Sequence, residues 1–229
     1  MVANPKATTT SARTREVIAH ALSASVDLDV VETTHRSHAT DLARQARLDG
    51  IDVVLTLGGD GTVNEVVNGL LAEGPGHDVP VLGAIPGGSA NVFARSTGLP
   101  DDAVEATGAL LEALEHKRTR TIGVGLADTG DRQRWFLCNA GLGLDAEIVE
   151  DMERQRAKGA EATPGRYFQT ALRHILVTAE RRQPALTVHR PGVPSVDGVF
   201  LAIVQNSSPW TFLGPLPIDL EKRLAAASS

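Results

Sequence analysis

Leu55-Thr56-Leu57-Gly58-Gly59-Asp60-Gly61-Thr62-Val63-Asn64-Glu65 reads as the end of a strand, a glycine turn and the start of a helix. Before it, Ile51 to Leu57 is a nearly unbroken β-branched and aliphatic run, as expected of a central strand covered on both faces. After it, Val63, Val66, Val67, Leu70 and Leu71 repeat with helical spacing and define one apolar face. A second unit of the same kind follows, where the strand Val81 to Ile85 runs into Pro86-Gly87-Gly88-Ser89-Ala90-Asn91. A glycine turn at the carboxyl end of a parallel strand lets a ligand approach the backbone, and the helix after it aims free N–H groups at an anion. Both turns are therefore expected to cradle phosphate. Thr62 is placed to cap its helix and offer a hydroxyl, and Asp60 to work through Mg²⁺. Neither turn continues into Gly-Lys-Ser/Thr, so this is not a Walker A loop, and phosphate charge must be met by backbone, metal and residues from elsewhere.

Outward from these turns, the first 120 residues alternate between helical and strand periodicity, the pattern of an α/β layered domain. Helices are expected over Ser11–Ser23, with Val17, Ile18, Ala21 and Leu22 inward, over Ala39–Leu48, closed by Gly50, and over Asp101–His116. Val26–Glu32 reads as a further strand. Beyond residue 120 the spacing changes to strands with longer gaps, at Thr121–Leu126, Trp135–Ala140, Pro184–His189 and Val199–Val204. The expected division is a nucleotide-binding α/β domain over 1–120 and a β-rich domain over 121–229. Arg154–Arg166, charged and rich in small residues, reads as an exposed loop.

Asn4-Pro5-Lys6-Ala7, then Gly58 through Asn68, then Pro86 through Asn91 resemble, in order, the three nucleotide motifs of the diacylglycerol kinase catalytic domain family, which shares its fold with NAD kinases and sphingosine kinases. The resemblance implies a Rossmann-like α/β domain with a parallel sheet followed by a β-sandwich domain. It implies that Asn4 and Lys6 line the nucleotide site, that Thr33 contacts ATP, and that Gly58, Gly59, Asp60, Gly61, Thr62, Asn64 and Glu65 hold the phosphates. Gly88, Ser89 and Asn91 complete the site, with Ser89 standing where the family usually has Thr, and Asp60 is the candidate catalytic residue. The implied reaction transfers the γ-phosphoryl group of ATP, with Mg²⁺, to the hydroxyl of a membrane lipid such as diacylglycerol. Asn64 and Glu65 directly follow the Gly-Gly-Asp-Gly-Thr block, whereas NAD kinases carry their Asn-Glu pair in a separate motif, so NAD kinase activity is a weaker alternative.

The same resemblance exposes departures. Val92 stands where many members have Asp, and Arg120-Thr121-Ile122-Gly123 lacks an Asp often found there. After Pro215-Leu216-Pro217-Ile218-Asp219 the sequence passes into the low-information stretch Leu220–Ser229, where family members continue through strands bearing an acidic metal-binding loop and the general-base carboxylate. A C-terminally truncated member is the expectation, and a nucleotide-binding remnant without catalysis is the alternative to a lipid kinase.

Several other features weigh on function. The net charge of −6 argues against a nucleic-acid partner. No stretch reaches the ~20 apolar residues of a membrane span and the N-terminus has no signal-like core, so a cytoplasmic location is expected. Arg154, Arg156, Lys158, Arg166, Arg173, Arg181, Arg182 and Arg190 form a local cationic bias, read either as peripheral contact with an anionic membrane surface or as a dispersed solvated face. A homodimer is compatible with this reading. Gly141-Leu142-Gly143-Leu144-Asp145-Ala146 fits a dinucleotide fingerprint, but no acidic strand end follows at the expected distance. His35 and His38 lack a third ligand and read as surface histidines. Arg13 and Arg15 are read either as phosphate contacts or as a solvated helix face. Cys138, the single cysteine, reads as a buried small hydrophobe.

Overall fold

The computed structural model describes residues 1–143 and 186–219. One compact unit is formed by Met1–Cys138 with the segment from Asn206 onward, the other by Asn139–Gln205.

The first unit is built on a four-stranded parallel sheet of β1 (Val2–Ala3), β2 (Val31–Glu32), β3 (Val53–Gly58) and β4 (Val81–Pro86), in the order β2-β1-β3-β4. Strand periodicity sends alternate residues of β3 to opposite faces. Leu55 and Leu57 join Ile18, Leu22, Ile85 and Ala103, so α1 (Ala12–Ser23) and α5 (Ala103–Glu115) cover one face. Val54 joins Ala39, Ala43, Val66 and Leu70, so α2 (His38–Leu48) and α3 (Asp60–Leu70) cover the other. A sheet covered on both faces is what the continuous apolar run of β3 requires.

The Val26–Glu32 strand contracts to Val31–Glu32, because its only partner in the described sheet is the two-residue β1, through Val2↔Val31 and Ala3↔Glu32. Val17, expected inward on α1, is half exposed, and Ile18 and Leu22 carry that helix's burial. Gly50 adopts φ +72° just beyond α2, as its position predicts. A short helix α4 (Val92–Ser96) follows the second glycine turn; five residues are too few to show helical periodicity.

The sharpest difference from the sequence reading concerns the boundary at residue 120. The hairpin β5 (Gly125–Asp128) and β6 (Gln133–Phe136) clusters with the first unit. Asn68 of α3 explains this: its Nδ2 donates to the Trp135 carbonyl at 2.9 Å, its Oδ1 accepts from the Trp135 N–H at 2.9 Å, and Trp135 Nε1 donates to the Leu71 carbonyl at 3.1 Å. The strand expected over Trp135–Ala140 breaks after Phe136, where the Cys138 carbonyl accepts from the N–H groups of Asn206 and Ser207. A last hairpin, β11 (Thr211–Leu213) with β12 (Leu216–Ile218), also belongs to this unit.

In the second unit, β7 (Asn139–Gly143) pairs antiparallel with β10 (Leu201–Gln205), and β8 (Leu186–Arg190) with β9 (Val193–Val199). The strand expected over Val199–Val204 is thus divided at Phe200. Gly141 and Gly143 face Ile203 and Leu201 inside that antiparallel ladder, so they do not form the strand-to-helix turn of a dinucleotide fingerprint. The Arg154–Arg166 loop, and all of the cationic series except Arg190, lie outside the described residues.

Candidate functional site

In a parallel sheet the carboxyl ends of all strands share one edge, the usual place for ligands. Here that edge carries Thr33 after β2, Asn4 after β1, Gly58 at the end of β3 and Gly87 after β4. The Thr33 N–H donates to the Ala3 carbonyl at 2.8 Å, extending the β2–β1 ladder by one bond.

The two glycine turns are in direct backbone contact. The Gly87 N–H donates to the Gly58 carbonyl at 2.9 Å. A Cβ on Gly88 would lie 2.6 Å from Gly59 Cα, and one on Gly87 3.1 Å from Gly58 Cα. Only glycine lets the two loops touch in this way, so the pair forms one platform rather than two separate turns.

Asn4 joins the first motif to this platform. Its N–H donates to the Leu57 carbonyl at 2.9 Å, its Oδ1 accepts from the Lys6 N–H at 2.9 Å, and its Nδ2 donates to Thr62 Oγ1 at 3.0 Å. Thr62 is nearly buried in the first turn of α3 and does not cap it, because the helix starts at Asp60 and Gly59 occupies the cap position. Its hydroxyl, accepting from Asn4, keeps its own hydrogen to donate. Lys6 and Ser89 are exposed, and Asn64 is half-buried on α3.

The structure separates the two helix starts that looked equivalent in sequence. Asp60 Oδ2 accepts from the Val92 N–H at 3.0 Å and Oδ1 from the Phe93 N–H at 2.9 Å, so the first amides of α4 are already bound to a carboxylate. The start of α3 is different. Gly59 supplies no capping side chain, whereas Ser11 and Asp102 accept such bonds at the starts of α1 and α5. Of its first amides, that of Thr62 turns back to the Gly59 carbonyl at 2.9 Å and that of Asp60 meets its own carboxylate, which leaves the Gly61 N–H, at the positive end of the helix dipole, to meet an anion. Gly61, exposed in that turn, would have open space around a Cβ, so nothing in the protein itself calls for glycine there.

Asp60 lines one crevice with Gly58, Gly59, Pro86 and Asn91. Burial pushes its carboxyl above the usual aspartate range, opposed by the Phe93 and Val92 amides and aided by the charge of Asp101. Asn91, buried and in the left-handed region at φ 49°, closes the second turn: its Oδ1 accepts from the Gly88 N–H and its Nδ2 donates to the Gly88 carbonyl, both at 2.8 Å. Glu65 reaches the start of α2 instead, where its Oε1 accepts from the Ser37 N–H at 3.1 Å.

Magnesium prefers near-octahedral oxygen ligands, one or two of them carboxylates when phosphates supply the rest. Among the described residues no three His, Cys, Asp or Glu side chains gather as a metal group. Asp60 already holds two amides, and Asp101 reaches the second turn through Asn91. His35 and His38 stack with ring centroids 4.8 Å apart, and each Nδ1 bonds to Thr34. Arg15 pairs with Glu32 at 3.4 Å. No helix among the described residues is long and apolar enough to cross a membrane.

Sequence reasoning missed Asn68 and Asp101. Asp101 Oδ1 accepts from Asn91 Nδ2 at 2.9 Å, beside Asp102, which is the cap of α5. The Asp-Asp pair signals a helix start but not that its first member reaches back to the turn.

The family model described as the diacylglycerol kinase catalytic domain matches residues 1–127. The chain is 30% identical over 191 residues to the diacylglycerol kinase of Bacillus subtilis, covering 73% of this chain and 59% of that protein. It is 42% identical over 135 residues to the protein named "Probable lipid kinase YegS-like" of Chromohalobacter salexigens, covering 59% of this chain and 40% of the other. Among solved structures, a diacylglycerol kinase from Bacillus anthracis superposes with a TM-score of 0.66 at 26% identity, over 94% of this chain and 67% of that one. The chain thus spans at most 59% of the length of these curated relatives. With three ordered motifs converging on one sheet edge and the family model covering all of them, the chain belongs to the diacylglycerol kinase catalytic domain family.

Proposed function

We propose that the chain binds ATP with its phosphates over the Gly58–Gly59 and Gly87–Gly88 platform, at the start of α3, and presents the γ-phosphoryl group to the hydroxyl of a membrane lipid of the diacylglycerol class. The observation that carries this reading is the uncapped start of α3 beside two glycine turns in backbone contact. The Gly61 amide at the start of α3 would take a phosphate oxygen, Thr62 would donate its hydroxyl while Asn4 fixes its orientation, and the glycines would let the phosphates lie against the backbone. Phosphoryl transfer depends mainly on positioning and charge neutralisation, and a magnesium ion arriving with the nucleotide supplies part of the latter. In this reading Asp60 is a positioning residue: through Val92 and Phe93 it fastens the second turn and its helix to the first.

Incubation with γ-labelled ATP, Mg²⁺ and vesicles containing diacylglycerol tests the proposal. Labelled phosphatidic acid is expected; ATP binding without labelled lipid would reduce the chain to a nucleotide-binding module. That second reading is favoured by one observation, the commitment of both Asp60 oxygens to backbone amides.

A further inference from the structure

The second phosphate turn is held by a chain of contacts that ends on a distant hairpin. Asn91 grips Gly88 from both sides, and its remaining Nδ2 hydrogen goes to Asp101 Oδ1 at 2.9 Å. Asp101 Oδ2 lies 3.7 Å from Arg95 Nη1. Arg95, whose side chain is only 12% exposed, also donates to the Ala90 carbonyl at 3.4 Å, in the turn itself. Its guanidinium carbon sits 3.5 Å above the centroid of the Phe212 ring, on β11.

A guanidinium has a flat face as well as a fork of donors, so Arg95 can spend its edge on Asp101 and Ala90 while its face stacks on an aromatic ring. Phe212 thereby covers the face of Arg95 and holds the guanidinium where its edge lies beside Asp101. Asp101, half exposed at 52%, thus has Oδ2 beside Arg95 and Oδ1 on Asn91.

We infer that Phe212, Arg95 and Asp101 are positioning residues for the second phosphate turn, so that the turn is fully ordered only when the β11–β12 hairpin is seated on α4. The consequence for nucleotide affinity rests on the function proposed above; the ordering of the turn does not.

Two measurements on the full chain separate these. In the nucleotide-free protein, hydrogen exchange followed by mass spectrometry is read over the peptides covering Gly87 to Ser96. Phe212→Leu, which keeps bulk and removes the π face, and Arg95→Lys, which keeps charge and removes the flat fork, are expected to speed exchange there by about three- to tenfold. Phe212→Tyr is expected to leave it at the wild-type rate. Unchanged exchange in Phe212→Leu and Arg95→Lys overturns the inference, as does equal acceleration in Phe212→Tyr, which would mean that the site responds to any change in packing. Calorimetric titration with ATP then gives the second readout. A rise in Kd of about three- to tenfold in Phe212→Leu, restored in Phe212→Tyr, supports the coupling to nucleotide. A wild-type chain that does not bind ATP refutes the proposed function while leaving the exchange result to stand by itself.

Discussion

Gly61 sits exposed in the first turn of α3 with open space where a Cβ would stand, and a helix of this protein gains nothing from it. Gly61→Ala is therefore expected to raise stability in denaturant titration by about 0.5–1 kcal/mol, and to weaken ATP binding by about tenfold if phosphates lie against that turn. Stabilisation without loss of affinity would remove the reason for glycine given above. Gly88 behaves in the opposite way, since its Cβ would meet the backbone of Gly59 at 2.6 Å. Gly88→Ala should destabilise by about 1–3 kcal/mol, because neither loop can yield without moving the other. Asp60 gives a pH signature. Its carboxyl is raised by burial, so the native state binds that proton more tightly than the unfolded chain. The associated stability is fully present below the ordinary aspartate range and is lost as pH rises through the raised value; Asp60→Asn should lack that acid-range decline when stability is followed against pH. Cys138 is pushed up to about 12, by burial and then by the charge of Asp60. Iodoacetamide at pH 8 should label it only in unfolding conditions, and rapid native labelling would contradict its placement.

At the scale of elements, long apolar runs were legible and short or cross-chain devices were not. The run into Gly58 marks β3 and the i, i+3, i+4 pattern marks α3, because both bury a whole face. β2 is shorter than its sequence reads because β1 offers only two residues to pair with. α4 and the β11–β12 hairpin carry no periodic signal at five and three residues, yet they frame the second turn. The helix starts show the limit most clearly: two glycine turns looked alike, and only the folded chain shows Asp60 reaching across to occupy one of them. Asn68, the last residue of the glycine block, fixes the β5–β6 hairpin to α3 through both Trp135 backbone groups. Asn68→Ala strands a donor and an acceptor in a half-buried place and is expected to cost about 2–4 kcal/mol in denaturant titration. Asn68→Asp, which turns a carboxylate oxygen toward the Asn64 and Trp135 carbonyls, is expected to cost at least as much.

For the whole molecule, the family was readable because three motifs occur in order, and the family model covers them within residues 1–127. Their convergence was not readable, since it depends on parallel strands delivering Asn4, Gly58 and Gly87 to one edge of a sheet. The central claim is that nucleotide phosphates meet the open start of α3 and not the occupied start of α4. Titration of isotopically labelled protein with ATP and Mg²⁺, followed by amide NMR, tests this residue by residue. The largest shift is expected at the Gly61 amide, with Val92 and Phe93 little changed because Asp60 already holds them. Large shifts at Val92 and Phe93 with none at Gly61 would contradict it.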